Sequence, residues 1–137
     1  MRYPRRMLVR GRALCAVIAV TAFAATASAA DAPAPACNLD LGRQIYALCS
    51  ACHALNATEP PREGPLLRGA YGRRAGADPK FKYSPALLAS NLVWDDATLD
   101  RFITNPRRAI PGTIMTFIGL KLADERSAVV CYLREQR

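Results

Sequence analysis

The sequence predicts an all-α domain of about four short helices joined by long loops. Apolar residues recur at helical spacing in separate stretches from Asn38 onward, each opened by a residue that caps helices well. The stretches between them are rich in Pro, Gly and Arg and nowhere alternate apolar with polar residues as a half-buried strand would. Cys49-Ser50-Ala51-Cys52-His53 closes the first helical stretch. In this spacing two thiols add across the vinyl groups of a porphyrin while the adjacent imidazole ligates its iron, so the loops are expected to wrap one covalent c-type haem.

The elements follow in order. Arg2, Arg5, Arg6, Arg10 and Arg12 precede an apolar run from Ala13 to Ala27 that ends in the small-residue site Ala27-Ser28-Ala29. That order is a secretory signal, so residues 1–30 read as a leader and 31–137 as a single monohaem domain. The run is short and alanine-rich for a membrane span, though retention as an anchor stays open. Arg5-Arg6 reads as ordinary leader charge, since haem attached after export requires an unfolded passenger. Ala32 to Ala36 alternates Ala with Pro and forms an extended tether. Asn38 caps a first helix over about 38–51, with Leu41, Ile45 and Leu48 on one face. His53 to Phe81 reads as a long ordered loop. Ser84-Pro85 is an N-cap followed by a first-turn proline, opening a short helix that Asn91 closes. Asp95 or Asp96 caps a third helix with Leu99, Phe102 and Ile103 facing inward, and Pro106 ends it. After a loop from Arg107 to Leu122, Asp124 and Glu125 open a final helix with Ala128, Val129, Tyr132 and Leu133 on one side.

The formal charge of +8 misleads, because five of the 19 basic residues and none of the 11 acids lie in the leader. From Asp31 onward the chain carries 14 basic and 11 acidic residues, a net +3, and two haem propionates would bring it nearer neutrality, which removes the case for a nucleic-acid partner. His53 is the only histidine. A zinc knuckle would need a second Cys/His pair, and a thioredoxin-type dithiol would need a preceding strand; neither is present in the pattern.

With that motif at the end of the first helix, the segments GRQIYALCSACH, GPLLRGAYGRRAG, FKYS, the lone Trp94, NPRRAIPGTIMTFIGL and ERSAVVCYL together resemble class I cytochrome c of the mitochondrial or bacterial c2 type. The resemblance runs from Gly42 to Leu133 and implies the cytochrome c fold, with first and last helices crossing at Gly42, Tyr46 and Tyr132. It implies iron held by His53 and Met115, and Met115 is the only methionine outside the leader. It implies that the Pro65 carbonyl accepts the ring N–H of His53, that Arg73, Tyr83 and Trp94 bind the haem propionates, and that Thr113 and Phe117 flank the methionine ligand. The sequence departs from the family at Phe102 and Leu87, where many members carry a tyrosine and an asparagine, and both changes dry the pocket. The family's lysine ring around the haem edge is thin: Arg107, Arg108 and Lys121 stand at or near its places, whereas Leu48 and Ile114 occupy others. The resemblance also brings Cys37, before the first helix, near Cys131 in the last. A disulfide is one reading; a small apolar Cys131 with a free Cys37 is the other.

The function implied is a periplasmic single-electron carrier, monomeric, serving redox proteins or membrane electron-transfer complexes, with no stable membrane insertion once the leader is removed. His/Met ligation leaves no open iron position, which favours a carrier over a catalyst. Two alternatives stand beside it: a haem enzyme or gas-binding cytochrome with a displaceable Met115, and a cytochrome subunit docked permanently to an oxidoreductase.

Overall fold

The structure, a computed structural model, describes residues 37–137. The leader, its cleavage site and the Ala-Pro tether lie outside the described residues.

Asn38 opens α1 (Leu39–Ser50) by accepting the Leu41 N–H at 3.0 Å on its side chain. Gly42 and Tyr46 form its buried face. Ser84 caps α2 (Pro85–Ala89) in the same way through the Leu87 N–H, 3.2 Å away, and Asn91 just beyond it turns left-handed at φ 53°. Of the two candidate caps for α3 (Asp96–Thr104), Asp95 is the one used. Its carboxylate accepts the Thr98 N–H at 2.8 Å while the Thr98 hydroxyl accepts the Asp95 N–H at 2.9 Å. Pro106 does end α3, but the expected loop beginning at Arg107 opens instead with a short helix, α4 (Pro106–Ala109). Asn105 caps the Arg108 N–H at 3.0 Å, and the ring of Pro106 suits a first helical position as well as it forbids a last one. The final helix, α5 (Ala123–Glu135), buries Ala128, Val129, Val130, Cys131 and Leu133.

Helices α1 and α5 cross where Gly42 has no side chain: a Cβ there would lie 2.7 Å from Tyr132 Cβ and against the Ala128 carbonyl. The rings of Tyr46 and Tyr132 pack beside the crossing, 5.4 Å between centroids. One core cluster, built on Tyr46, Leu120, Val129 and Leu133, holds this joint. A second, built on Ala75, Leu87, Phe102 and Ile110, lies under α2 and α3. Among the described residues the one extended pairing is an isolated antiparallel bridge between Arg74 and Val93. At the start of the fold Cys37 faces Cys131 of α5, with Cα atoms 5.8 Å apart.

Candidate functional site

Between the clusters lies a cavity of about 390 Å³, within the range of sites that enclose small molecules and cofactors. All ten residues singled out for cofactor binding line it: Cys49, Cys52, His53, Pro65, Arg73, Tyr83, Trp94, Thr113, Met115 and Phe117. They fall into four groups.

The first part is the end of α1. Past Ser50 the backbone continues to turn, with the amides of Cys52 and His53 both donating to the Cys49 carbonyl at 3.1 and 2.9 Å. This brings Cys49, Cys52 and the His53 ring to the cavity. Burial, and then the neighbouring Cys52, push the Cys49 thiol up to about 11, so it stays protonated at neutral pH. Cys49 and Cys52 are not bonded to each other, and among the described residues no three His, Cys, Asp or Glu side chains converge as a zinc ion would require.

The second part is the loop after His53. His53 Nδ1 lies 2.8 Å from the Pro65 carbonyl, which can only accept, so Nδ1 carries the proton and Nε2 presents a lone pair. Burial lowers the His53 pKa more than the Pro65 hydrogen bond raises it, which favours the neutral imidazole. Sequence reasoning singled out Pro65 but not the residue before it. Gly64 sits flat under the imidazole: a Cβ there would lie 2.6 and 2.8 Å from the two ring nitrogens. Its amide donates to the Cys52 carbonyl at 2.7 Å. A glycine one step ahead of Pro65 was the available signal. Two further contacts steady the segment. The Tyr46 hydroxyl donates to the His53 carbonyl at 3.2 Å, and Glu59 accepts the amides of Leu55 and Asn56 at 3.1 and 2.8 Å. Burial, reinforced by Glu59, pushes the Tyr46 phenol up to about 12, so it remains a donor.

The third part supplies polar groups. Residues 72–75 run beside 92–94, with Gly72 N–H to the Trp94 carbonyl at 2.7 Å, Trp94 N–H to Arg73 at 3.0 Å and Ala75 N–H to Leu92 at 2.8 Å. This short pairing, invisible in a loop-like sequence, is what holds Arg73 beside Trp94. The Arg73 guanidinium donates to the Leu66 carbonyl at 3.3 Å and keeps other N–H groups for a ligand. Trp94 packs on Phe102 at 5.0 Å between centroids, and burial raises the Tyr83 pKa, with Asp78 adding to it.

The fourth part is a strap from Ile110 to Leu120. The Thr113 amide donates to Ile110 at 3.0 Å, and the Met115 amide to the Thr113 hydroxyl at 3.3 Å. Met115 packs against the cluster that contains Leu87 and Phe102. The far end of the strap is fastened by the Leu120 amide to Ile103 at 2.9 Å and by Arg126, another residue missed in the sequence. Arg126 pairs with Asp100 at 2.7 Å and donates to the Lys121 carbonyl at 2.9 Å.

These groups fit an iron porphyrin. Two thiols, a neutral imidazole nitrogen and a thioether meet in one cavity, Gly64 leaves the imidazole the space a Cβ would fill, and Arg, Tyr and Trp donors stand ready for carboxylates. Residues 39–137 match the family model described as cytochrome c. The chain belongs to the cytochrome c family. It is 45% identical over 107 residues to cytochrome c2 iso-1 of Magnetospirillum molischianum, covering 77% of this chain and 97% of that one. It is 41% identical over 95 residues to cytochrome c2 of Rhodomicrobium vannielii, covering 69% and 76%. Among solved structures, cytochrome cH from Methylobacterium extorquens superposes with a TM-score of 0.66 at 33% identity, covering 71% of this chain and 97% of that one. This cytochrome c is thus of the c2 type, all-α, an electron carrier and not an enzyme, with haem c attached covalently through Cys49 and Cys52.

Proposed function

We propose that this cytochrome c is an exported, periplasmic single-electron carrier whose iron is held by His53 and Met115. The observation that carries the ligand assignment is the 2.8 Å contact from His53 Nδ1 to the Pro65 carbonyl, which frees Nε2 in the same cavity that Met115 lines. When bound, the haem supplies an iron that gains or loses one electron. Pro65 fixes the tautomer of His53 and raises its basicity. The Met115 thioether, a soft ligand among apolar neighbours, favours the reduced state. Arg73 offsets the charge of the propionates, and Tyr83 and Trp94 donate hydrogen bonds to them, since a buried site would otherwise expel the anions. Thr113 and Phe117 hold the strap on either side of Met115.

Export rests on the order of charge, apolar run and small residues in the leader. No helix among the described residues is long and apolar enough to cross a membrane. In an oxidising compartment Cys37 and Cys131 form a disulfide, a reading supported by their 5.8 Å Cα separation. Visible spectra and CO binding test the ligands. The ferrous wild type should resist CO, and Met115→Ala should bind it readily with a lowered potential; rapid CO binding by the wild type overturns the reading. An intact Met1 in the mature holoprotein would replace the free periplasmic form with an anchored one.

A further inference from the structure

The Arg126 guanidinium joins three stretches of chain. It stands on α5, its Nε donates to the Asp100 carboxylate of α3 at 2.7 Å, and its Nη1 donates to the Lys121 and Leu120 carbonyls at 2.9 and 3.3 Å. Among the described residues neither carbonyl accepts a backbone amide, so the arginine is their polar partner. Leu120 is buried, and a buried carbonyl left unpaired is costly. The Arg126 side chain is 14% exposed and that of Asp100 47%. A fully exposed pair would hold little. A largely buried guanidinium with charge-assisted bonds to a carboxylate and two carbonyls holds more. Asp100 has no second ion-pair partner among the described residues: the exposed Arg101 and Lys121, each next in sequence to a group in the clamp, do not pair with it.

The clamp sits where the strap rejoins the fold. Met115 hangs between the Thr113 hydroxyl, 3.3 Å from its own amide, and the Leu120 amide, which donates to Ile103 at 2.9 Å. The amides from Thr116 to Gly119 donate no hydrogen bond. How firmly the thioether is presented therefore depends on what fastens Leu120.

Resting on the reading that His53 and Met115 hold the iron, we propose that the Asp100–Arg126 pair is a positioning device for Met115. It sets the rate at which the strap lifts, and with it the reduction potential and the closure of the site to external ligands. Arg126 holds the strap end. Asp100 acts through Arg126, anchoring Nε so that Nη1 faces the two carbonyls. Lifting releases the thioether with both electrons of its lone pair and changes no oxidation state. Because the carboxylate half of the pair is open to solvent ions, the clamp loosens as ionic strength rises.

Stopped-flow mixing of the ferric holoprotein with saturating imidazole reads the lifting rate, since the added ligand binds only after the thioether has left. Arg126→Gln should speed lifting about tenfold, weaken the sulfur-to-iron charge-transfer band and lower the potential. Asp100→Asn should move all three in the same direction by less, and should add nothing to Arg126→Gln in the double variant. Arg126→Lys keeps the charge without the fork and should fall between wild type and Arg126→Gln. Added salt should speed lifting in the wild type and leave Asp100→Asn unchanged. Asp95→Ala, which removes the cap at the other end of α3, should lower thermal stability without speeding lifting. If Asp95→Ala lifts as fast as Arg126→Gln, the effect is general loss of stability and the proposal is overturned. Wild-type rates in every Arg126 and Asp100 variant also overturn it, while continued resistance of the ferrous wild type to CO leaves Met115 as the ligand. Rapid CO binding by that wild type removes the ligand reading and this proposal together. If Arg126→Gln yields no holoprotein, the rates of Arg126→Lys and Asp100→Asn decide in its place.

Discussion

The two segments that carry the proposed iron ligands are built to different stiffness. Around His53 the contacts are short and come from several directions: Pro65 at 2.8 Å on the ring, Cys49 at 2.9 Å on its amide, Tyr46 at 3.2 Å on its carbonyl, and Gly64 tied to Cys52 at 2.7 Å. The Met115 strap is fastened at its ends, by Thr113 to Ile110 and by Leu120 and Arg126 to α3 and α5. Between them, among the described residues, the amides from Ile114 to Gly119 make one hydrogen bond, the 3.3 Å contact of Met115 to Thr113. The histidine side is fixed by the helix crossing and its hydrogen bonds; the methionine side is fixed mainly by packing. Local opening should therefore begin at the strap.

The largest expected effect breaks the stiff side at its root. Cys49→Ala or Cys52→Ala each removes one thioether to the haem and should abolish or cripple maturation, read as loss of haem that survives acid-acetone extraction. Wild-type protein that loses all its haem in that extraction would refute covalent attachment. The proposed Cys37–Cys131 bridge comes next. It spans 94 residues, and on the chain-entropy model opening it with Cys37→Ser should cost about 4 to 5 kcal/mol in chemical unfolding. Two reactive thiols in the unfolded, unreduced holoprotein would sink the bridge, whereas none in a monomer supports it.

A matched pair of glycines sharpens the contrast directly. Gly64→Ala drives a Cβ into the imidazole, and Gly119→Ala drives one to 2.7 Å from the Thr104 carbonyl carbon at a left-handed φ of 98°. Each should lose about 1 to 3 kcal/mol from overpacking. Only the second should admit CO to the ferrous iron, because it lifts the strap. Equal CO binding by both would show that the two sides are not mechanically distinct.

The smallest effect lies in the loop beside His53. Glu59 accepts backbone amides of Asn56 and Leu55, which hold its carboxyl below the ordinary 4.5. A lowered folded pKa stabilises above the unfolded value, and that contribution disappears as pH falls through the folded one. Glu59→Gln should be slightly less stable than wild type at neutral pH, with the gap closing in acid. Thermal unfolding across that range measures it, and a gap that widened in acid would be the wrong sign.

Much of this was legible locally. Asn38, Ser84 and Asp95 announce their helices because a side-chain oxygen beside an unsatisfied amide is a short-range event. Cys49, Cys52 and His53 share one turn, so their spacing alone carries the attachment chemistry. Placing Pro65, Arg73, Tyr83, Trp94 and Met115 at the same cavity drew on the resemblance, since no local pattern relates them. Helix α4 was missed because Pro106 was read for the helix it ends and not for the one it begins. Gly64, Arg126 and the pairing of 72–75 with 92–94 were missed because their partners are distant in the chain.

What the sequence determined by itself is the cofactor chemistry, the order of α1, α2, α3 and α5, and the modest net charge of +3 from Asp31 onward. Each depends on neighbours within a turn or on composition. Only the tertiary structure decided that Gly64 floors the imidazole and that Arg126 ties the strap to α3. These are meetings of segments far apart in sequence, brought together by the crossing of α1 and α5 and by the space the core leaves between its two clusters.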